Sequence, residues 1–215
     1  VYGEIEGSEA DEHALLNPTN PYSATKAGAE FLARAYHKSF KLPVIITRGN
    51  NVYGPHQFPE KLIPKFSLLL SQGKKVPIHG DGSEKRSFLH VDDVVRAFDV
   101  ILRRGVVGET YNIGTDCEYT NNEVADSILA CFGFDRARRA EHVTYVPNRP
   151  FNDVRYTLDS SKLHRLGWRP EVRWEDGLPQ TVEWYRKHPD HWDKYEEALV
   201  AHPRIGMSAR SVFEE

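Results

Sequence analysis

The feature that most narrows the fold is a short run, Val44-Ile45-Ile46-Thr47-Arg48, placed directly after Leu42-Pro43 closes a helical stretch. It is nearly all apolar and shows no polar alternation. A run of this kind fits a strand buried on both faces of a parallel sheet. The helix before it is read from Leu32, Ala35, Tyr36 and Phe40, which recur at helical spacing between Tyr22 and Phe40. Helix followed by buried strand argues for an α/β fold with a parallel sheet.

The alternation continues along the chain. Asn17 to Pro21 and Asn50 to Pro59 read as loops by their prolines and polar residues. Leu62, Ile63, Phe66, Leu69 and Leu70 mark a helix closed by Gly73. Short strands, Val76–His79 and Arg86–His90, flank the turn Gly80-Asp81-Gly82. Asp92 is the expected cap of a helix striped by Val94, Val95, Phe98, Ile101 and Leu102. A strand follows at Thr110–Ile113. Thr120-Asn121-Asn122-Glu123 has capping-box spacing, opening a helix that runs to Phe132 and stops at Gly133. His142–Val146 is strand-like, Trp174–Lys187 is a last helix, and the stretch from Pro203 onward has no period and is expected to be loose.

The chain has only one or two clean parallel-type strands, and no Gly-x-Gly-x-x-Gly turn follows any of them. A doubly wound sheet normally has both more strands and that turn. The expectation is therefore a piece of a longer protein. The start, Val1-Tyr2-Gly3-Glu4, has neither a basic nor an apolar leader region, and Met207 is the sole methionine.

Composition excludes several classes. The net charge of −3 gives no basic excess for nucleic acid or an anionic membrane. No apolar run approaches the roughly 20 residues of a membrane span. Cys117 and Cys131 fit neither a zinc site nor a redox pair, so two free thiols in a reducing, cytoplasmic setting are expected. No histidine pair has metalloprotease spacing, and no metal site is expected.

Tyr22-Ser23-Ala24-Thr25-Lys26 carries the first chemistry. At the start of a helix, Tyr22 and Lys26 lie one turn apart on one face. A phenol, with an ordinary pKa of about 10, is a poor base at neutral pH. A neighbouring ammonium stabilises the phenolate, so such a pair can take a proton from a hydroxyl. Alone the motif is weak, because a surface helix carries such pairs by chance. It is followed, however, by a helix, a strand and then Arg48-Gly49-Asn50-Asn51-Val52-Tyr53-Gly54-Pro55.

That order, Asn-Pro-Tyr-x-x-x-Lys, helix, strand, Arg-x-x-Asn-x-Tyr-Gly-Pro, resembles the extended short-chain dehydrogenases that act on nucleotide sugars. The resemblance covers nearly the whole chain. It implies that Tyr22 is the catalytic base, and that Lys26 tunes it and binds the nicotinamide ribose of NAD. Asn51 would contact the substrate near sugar and diphosphate. Phe58-Pro59-Glu60-Lys61-Leu62-Ile63-Pro64 is similar to the 4,6-dehydratase subgroup, which makes Glu60, Lys61 and Leu62 substrate-side residues. By the same resemblance Pro77 and His79 lie beside the pyrimidine base, Arg86 and Arg149 hold the diphosphate, and Asn112 touches the nucleotide. A guanidinium fork suits phosphate oxygens. Asn152 stands where bacterial dTDP-glucose dehydratases have histidine, so a histidine role does not carry over to it. Arg149-Pro150-Phe151-Asn152-Asp153, with Ala201-His202-Pro203-Arg204, looks most like the UDP-glucose 4,6-dehydratase part of rhamnose synthases, with eukaryotic dTDP-glucose dehydratases next.

The implied fold is the C-terminal part of a Rossmann-type doubly wound sheet interleaved with a small α+β substrate domain. Residues 1–50 would belong to the NAD-binding part. Residues 51–192 would be mainly substrate-binding, with about 86–114 returning to the Rossmann sheet, and 193–215 would form a tail. In the subgroup an Asp-Glu pair sits directly before Val-Tyr-Gly and performs the elimination. The chain begins at that valine and is expected to be inactive alone. Glu4 and Glu6 read as solvated loop residues, not replacements. The alternatives are a 4-epimerase or UDP-glucuronate decarboxylase, or a non-catalytic nucleotide-sugar binder. The resemblance also implies a homodimer through the Tyr22 helix and its neighbour.

Overall fold

The computed structural model describes residues 1–3, 9–148 and 157–201. Glu4, Glu6, Arg149, Asn152 and the tail from Pro203 lie outside the described residues. Helix α1, Pro21–Phe40, opens with a capping box in which Asn20 Oδ1 accepts from the Ser23 amide and Ser23 Oγ accepts from the Asn20 amide. Pro21 is tolerated because the first helical amide has no partner in the helix. Strands β1 (Ile46–Gly49) and β2 (Asn51–Tyr53) follow, then α2 (Leu62–Ser71), β3 (Val76–His79), β4 (Lys85–His90) and α3 (Val91–Arg104). Next come β5 (Thr110–Ile113), β6 (Glu118–Thr120) and α4 (Asn121–Cys131). A 3-10 turn at Arg136–Arg138 leads through α5 (Arg139–His142) into β7 (Val143–Val146), and α6 (Ser161–Arg165), α7 (Trp174–Lys187) and α8 (Glu196–Leu199) are the last elements among the described residues.

Three small sheets form among the described residues. β1 pairs parallel with β5, from Ile46↔Thr110 to Gly49↔Ile113. β2 pairs parallel with β4, and β4 antiparallel with β6, giving the order β2-β4-β6. β3 pairs parallel with β7. Mixed helices and parallel pairs are the α/β arrangement expected.

Three apolar clusters are buried among the described residues, the smallest being Tyr2, Ala10 and Leu158. Of the other two, one gathers Leu89, Ala97, Ile101, Tyr111, Ile113, Leu163 and Trp168 around β5, α3 and α6. The larger one packs α2, α4 and α7 over β3 and β7, with Ile63, Leu68, Ile128, Leu178 and Val182 at its centre. The α7 residues Trp174, Leu178, Val182 and Tyr185 fall on one helical face, which is the face buried.

Several expectations need correction. His90, not Asp92, caps α3: its Nδ1 accepts from the Asp92 amide at 3.3 Å, and Asp92 falls in the first turn. Either residue type can offer the acceptor, and the chain direction leaving β4 selects the earlier one. β1 is only half-buried, because β5 alone pairs with it among the described residues. Asn51–Tyr53, expected as loop, is a strand. Of the α3 stripe only Ile101 is buried, with Ala97 and Asp93, while Val95, Phe98 and Leu102 face outward. Tyr195 and Leu199, expected in the tail, are buried in the larger core. Among the described residues no helix is long and apolar enough to cross a membrane.

Candidate active site

A cleft of about 1000 Å³ opens between α1, the β1–β2 segment, the start of α2, and the ends of β3 and β4. Each wall follows from local structure. The capping box starts α1 at a defined residue, so Tyr22 and Lys26 fall on the helix face lining the cleft. Tyr22 is 75% exposed. Among the described residues neither the Tyr22 hydroxyl nor the Lys26 ammonium is engaged in a side-chain hydrogen bond or ion pair, which leaves both available to a ligand.

The opposite wall begins where β1 ends. Asn51 lines the cleft and its Nδ2 donates to the Ser87 carbonyl on β4 at 3.4 Å. The turn that follows needs its glycine: Gly54 has φ +155, and a Cβ there would overlap Val91. Tyr185 of α7 pins this turn, its hydroxyl meeting the Gly54 carbonyl at 3.1 Å and donating to that of Gln57 at 2.8 Å. Burial pushes the Tyr185 phenol up, so it stays protonated and keeps that donor. The chain then delivers Glu60, Lys61 and Leu62 to the cleft, with Glu60 and Lys61 paired at 2.9 Å.

Pro77, His79 and Arg86 line the far end. His79 Nδ1 donates to the Pro147 carbonyl at 3.1 Å. The Gly80-Asp81-Gly82 turn behind it is as the sequence requires, with φ of +60 at Gly80 and +74 at Gly82. Arg86 Nη1 donates to the Lys85 carbonyl at 2.9 Å.

Asn112 does not join this group. Its side chain is fully buried on β5 and lies outside the cleft lining. Oδ1 accepts from the Tyr2 hydroxyl at 2.8 Å, and Nδ2 donates to the carbonyls of Ala10 and Asp159 at 2.8 and 3.1 Å. Every polar atom of its amide is spent tying three segments together. The expectation of a nucleotide contact there is corrected to a structural role.

Sequence reasoning assigned no site role to several residues of the lining, among them Glu30, Arg48, Lys65 and Gln57. Glu30 and Arg48 form a buried pair at the cleft floor. Burial alone would raise the Glu30 carboxyl, but the Arg48 fork and Arg34 outweigh it and hold the group below the usual carboxylate range. Lys65, inside the apolar run of α2, is buried and donates to the Val200 carbonyl at 3.1 Å. Gln57 Nε2 donates to the Val52 carbonyl at 2.7 Å. The one signal available was that Glu30 stands four residues after Lys26, on the same helical face.

Known proteins resemble this chain in sequence and in fold. The family model described as GDP-mannose 4,6 dehydratase matches residues 1–181. The chain is 53% identical over 210 residues to the trifunctional UDP-glucose 4,6-dehydratase/UDP-4-keto-6-deoxy-D-glucose 3,5-epimerase/UDP-4-keto-L-rhamnose-reductase RHM2 of Arabidopsis thaliana, a match spanning 96% of this chain and 31% of that protein. It is 45% identical to the human dTDP-D-glucose 4,6-dehydratase over 94% of this chain and 59% of that protein. The crystal structure of DesIV, the dTDP-glucose 4,6-dehydratase of Streptomyces venezuelae with NAD bound, superposes with a TM-score of 0.84 at 43% identity. That match covers 90% of this chain and 59% of DesIV. The chain thus spans less than two thirds of the length of these relatives.

Proposed function

The chain belongs to the GDP-mannose 4,6-dehydratase family, and from that premise we propose that it supplies the proton-transfer and substrate-binding walls of an NAD-dependent 4,6-dehydratase. The substrate of this reading is a nucleotide-activated glucose, UDP- or dTDP-linked, and the product its 4-keto-6-deoxy sugar. The observation that carries it is the convergence of Tyr22, Lys26, Asn51, Glu60, Lys61, Leu62, Pro77, His79 and Arg86 on one cleft.

In this reading the Lys26 ammonium stabilises Tyr22 as the phenolate, which takes the proton from the sugar's C4 hydroxyl and becomes the phenol. NAD, when bound, supplies the acceptance and return of the hydride. Tyr22 and Lys26 fit its nicotinamide end, since both side chains are unengaged and line a cleft of ligand size. Asn51 and the Glu60–Leu62 segment hold the sugar and its neighbouring phosphate. Arg86 holds the diphosphate, and Pro77 and His79 flank the base. Among the described residues the carboxylates lining the cleft are Glu30, tied to Arg48, and Glu60, paired with Lys61.

A homodimer is part of the same reading. Phe31, Leu32 and Phe40 on α1 and Phe98 and Leu102 on α3 are all exposed, Leu102 by 82%. Large apolar side chains in water on two helices suit a partner surface.

The test is to give a polypeptide containing this chain NAD with UDP-glucose, dTDP-glucose or, separately, UDP-glucuronate and weigh the product. Loss of one water supports the dehydratase, and the faster substrate names the base. An unchanged mass with a rearranged sugar means an epimerase. Loss of carbon dioxide from UDP-glucuronate means a decarboxylase. Binding without turnover means a non-catalytic relative. Tyr22→Phe is expected to abolish turnover while leaving nucleotide-sugar binding in place.

A further inference from the structure

Helix α1 is held in an unusual way. Of its residues only Ala27 and Glu30 are buried, while Tyr22, Phe31, Leu32, Tyr36 and Phe40 are exposed. Apolar packing therefore does little to fix its position, in contrast to α2 and α7, whose side chains fill the larger core. A polar clamp does so instead. Arg48 on β1 and Glu30 on α1 are each 7% exposed in their side chains and meet through two bonds: Nη2 to Oε1 at 2.5 Å and Nε to Oε2 at 2.9 Å. Arg48 Nη1 also donates to the Tyr2 hydroxyl at 2.5 Å and to the Glu12 carbonyl at 3.4 Å. Arg34, one turn beyond Glu30, donates to Glu30 Oε1 at 2.9 Å and to Thr110 Oγ1 on β5 at 2.8 Å.

We propose that Glu30 and Arg48 are positioning residues, whose two-point pair sets the height and rotation of α1 on β1 and so aims Tyr22 and Lys26 at the cleft; this rests on the roles assigned to those two residues above. The physical reason is the planar fork. Two parallel bonds define an orientation, where a single charge pair defines only a distance. Glu30 lies one turn from Lys26 and two turns from Tyr22 on the same face, so a rotation at Glu30 moves both. Arg48 in turn sits three residues before Asn51, which ties the far wall to the same fixed point.

Removing one partner of a buried pair leaves an uncompensated charge and strongly destabilises, whereas replacing both with neutral groups of similar volume is often tolerated. The informative variant is thus the double change Glu30→Gln with Arg48→Met, accompanied by Glu30→Asp and Arg48→Lys. Amide hydrogen exchange is the first readout, because it needs no turnover. The expected result in the double variant is exchange in α1 faster by about tenfold or more, a partial local opening, with α2 and α7 unchanged. In a polypeptide that turns over, kcat is expected to fall on the order of 100-fold, the scale of an ångström-sized misplacement, with KM for the nucleotide sugar within about threefold. Arg48→Lys should fail to rescue, since it restores the charge without the fork. Unchanged α1 exchange, or a double variant or Arg48→Lys with normal kcat, would overturn the proposal. An inactive parent polypeptide with the expected exchange pattern would overturn the functional reading alone.

Discussion

Two helical glycines should respond to alanine with opposite signs. Gly28 lies inside α1, and a Cβ there meets nothing within 4 Å. Gly177 lies inside α7, and a Cβ there would sit 2.6 Å from the Tyr53 hydroxyl, 2.9 Å from Val172 Cγ1 and 3.0 Å from His90 Cδ2. Alanine is favoured over glycine in a helix interior by about 0.8–1 kcal/mol, so Gly28→Ala should stabilise by nearly that amount. At Gly177 the same gain is opposed by overpacking, which costs about 1–3 kcal/mol. Tyr53 and His90 are both buried and cannot swing away, so the upper part of that range applies and the net loss is about 1–2 kcal/mol. The two variants should therefore differ by roughly 2–3 kcal/mol. With a urea slope of about 2 kcal/mol per molar, their unfolding midpoints should lie about 1 M or more apart, on either side of the parent. Equal stabilisation by both substitutions would refute the reasoning that the close approach of α7 to Tyr53 and His90 requires a glycine.

Three further outcomes are expected. Asn112→Ala should cost about 2–4 kcal/mol in urea unfolding, because it takes the acceptor from the Tyr2 hydroxyl, strands the Asp159 carbonyl and removes one of the two donors to the Ala10 carbonyl; nucleotide-sugar affinity, measured by titration, should not change. Burial holds His90 below the ordinary histidine range, and Glu30 is also depressed on folding despite its burial. In both cases the unfolded chain binds more protons, so stability is full above neutrality. It falls first as pH drops below about 6.5, and again below about 4.3. His90→Asn, which keeps a capping side chain, should flatten the first step in a stability-against-pH series. Leu32→Glu with Leu102→Glu should lower the sedimentation coefficient if the apolar helix faces join two copies, and an unaltered coefficient would remove the homodimer from the reading.

Local signals were the legible part of this protein. The capping boxes at Asn20 and Thr120, the turn glycines at 80 and 82, and the apolar period of α2 and α7 each depend on a few neighbouring residues. Such features stand in the sequence before any folding. The same holds for the residue types of the cleft, since Tyr22, Lys26, Asn51 and Arg86 belong to short motifs whose chemistry is intrinsic to the side chains. What the tertiary structure decided was direction and partnership. Asn112 could have ended its strand facing a ligand, and β5 turned it inward against Tyr2 and Ala10. Asp92 and His90 were both able to cap α3, and the path of β4 chose His90. Glu30 and Lys65 look in sequence like ordinary surface charges, and Arg48, though it ends a buried run, names no partner there. Their burial depends on segments tens to more than a hundred residues away, such as Val200 beside Lys65, and charge pairing over that span leaves no periodic trace.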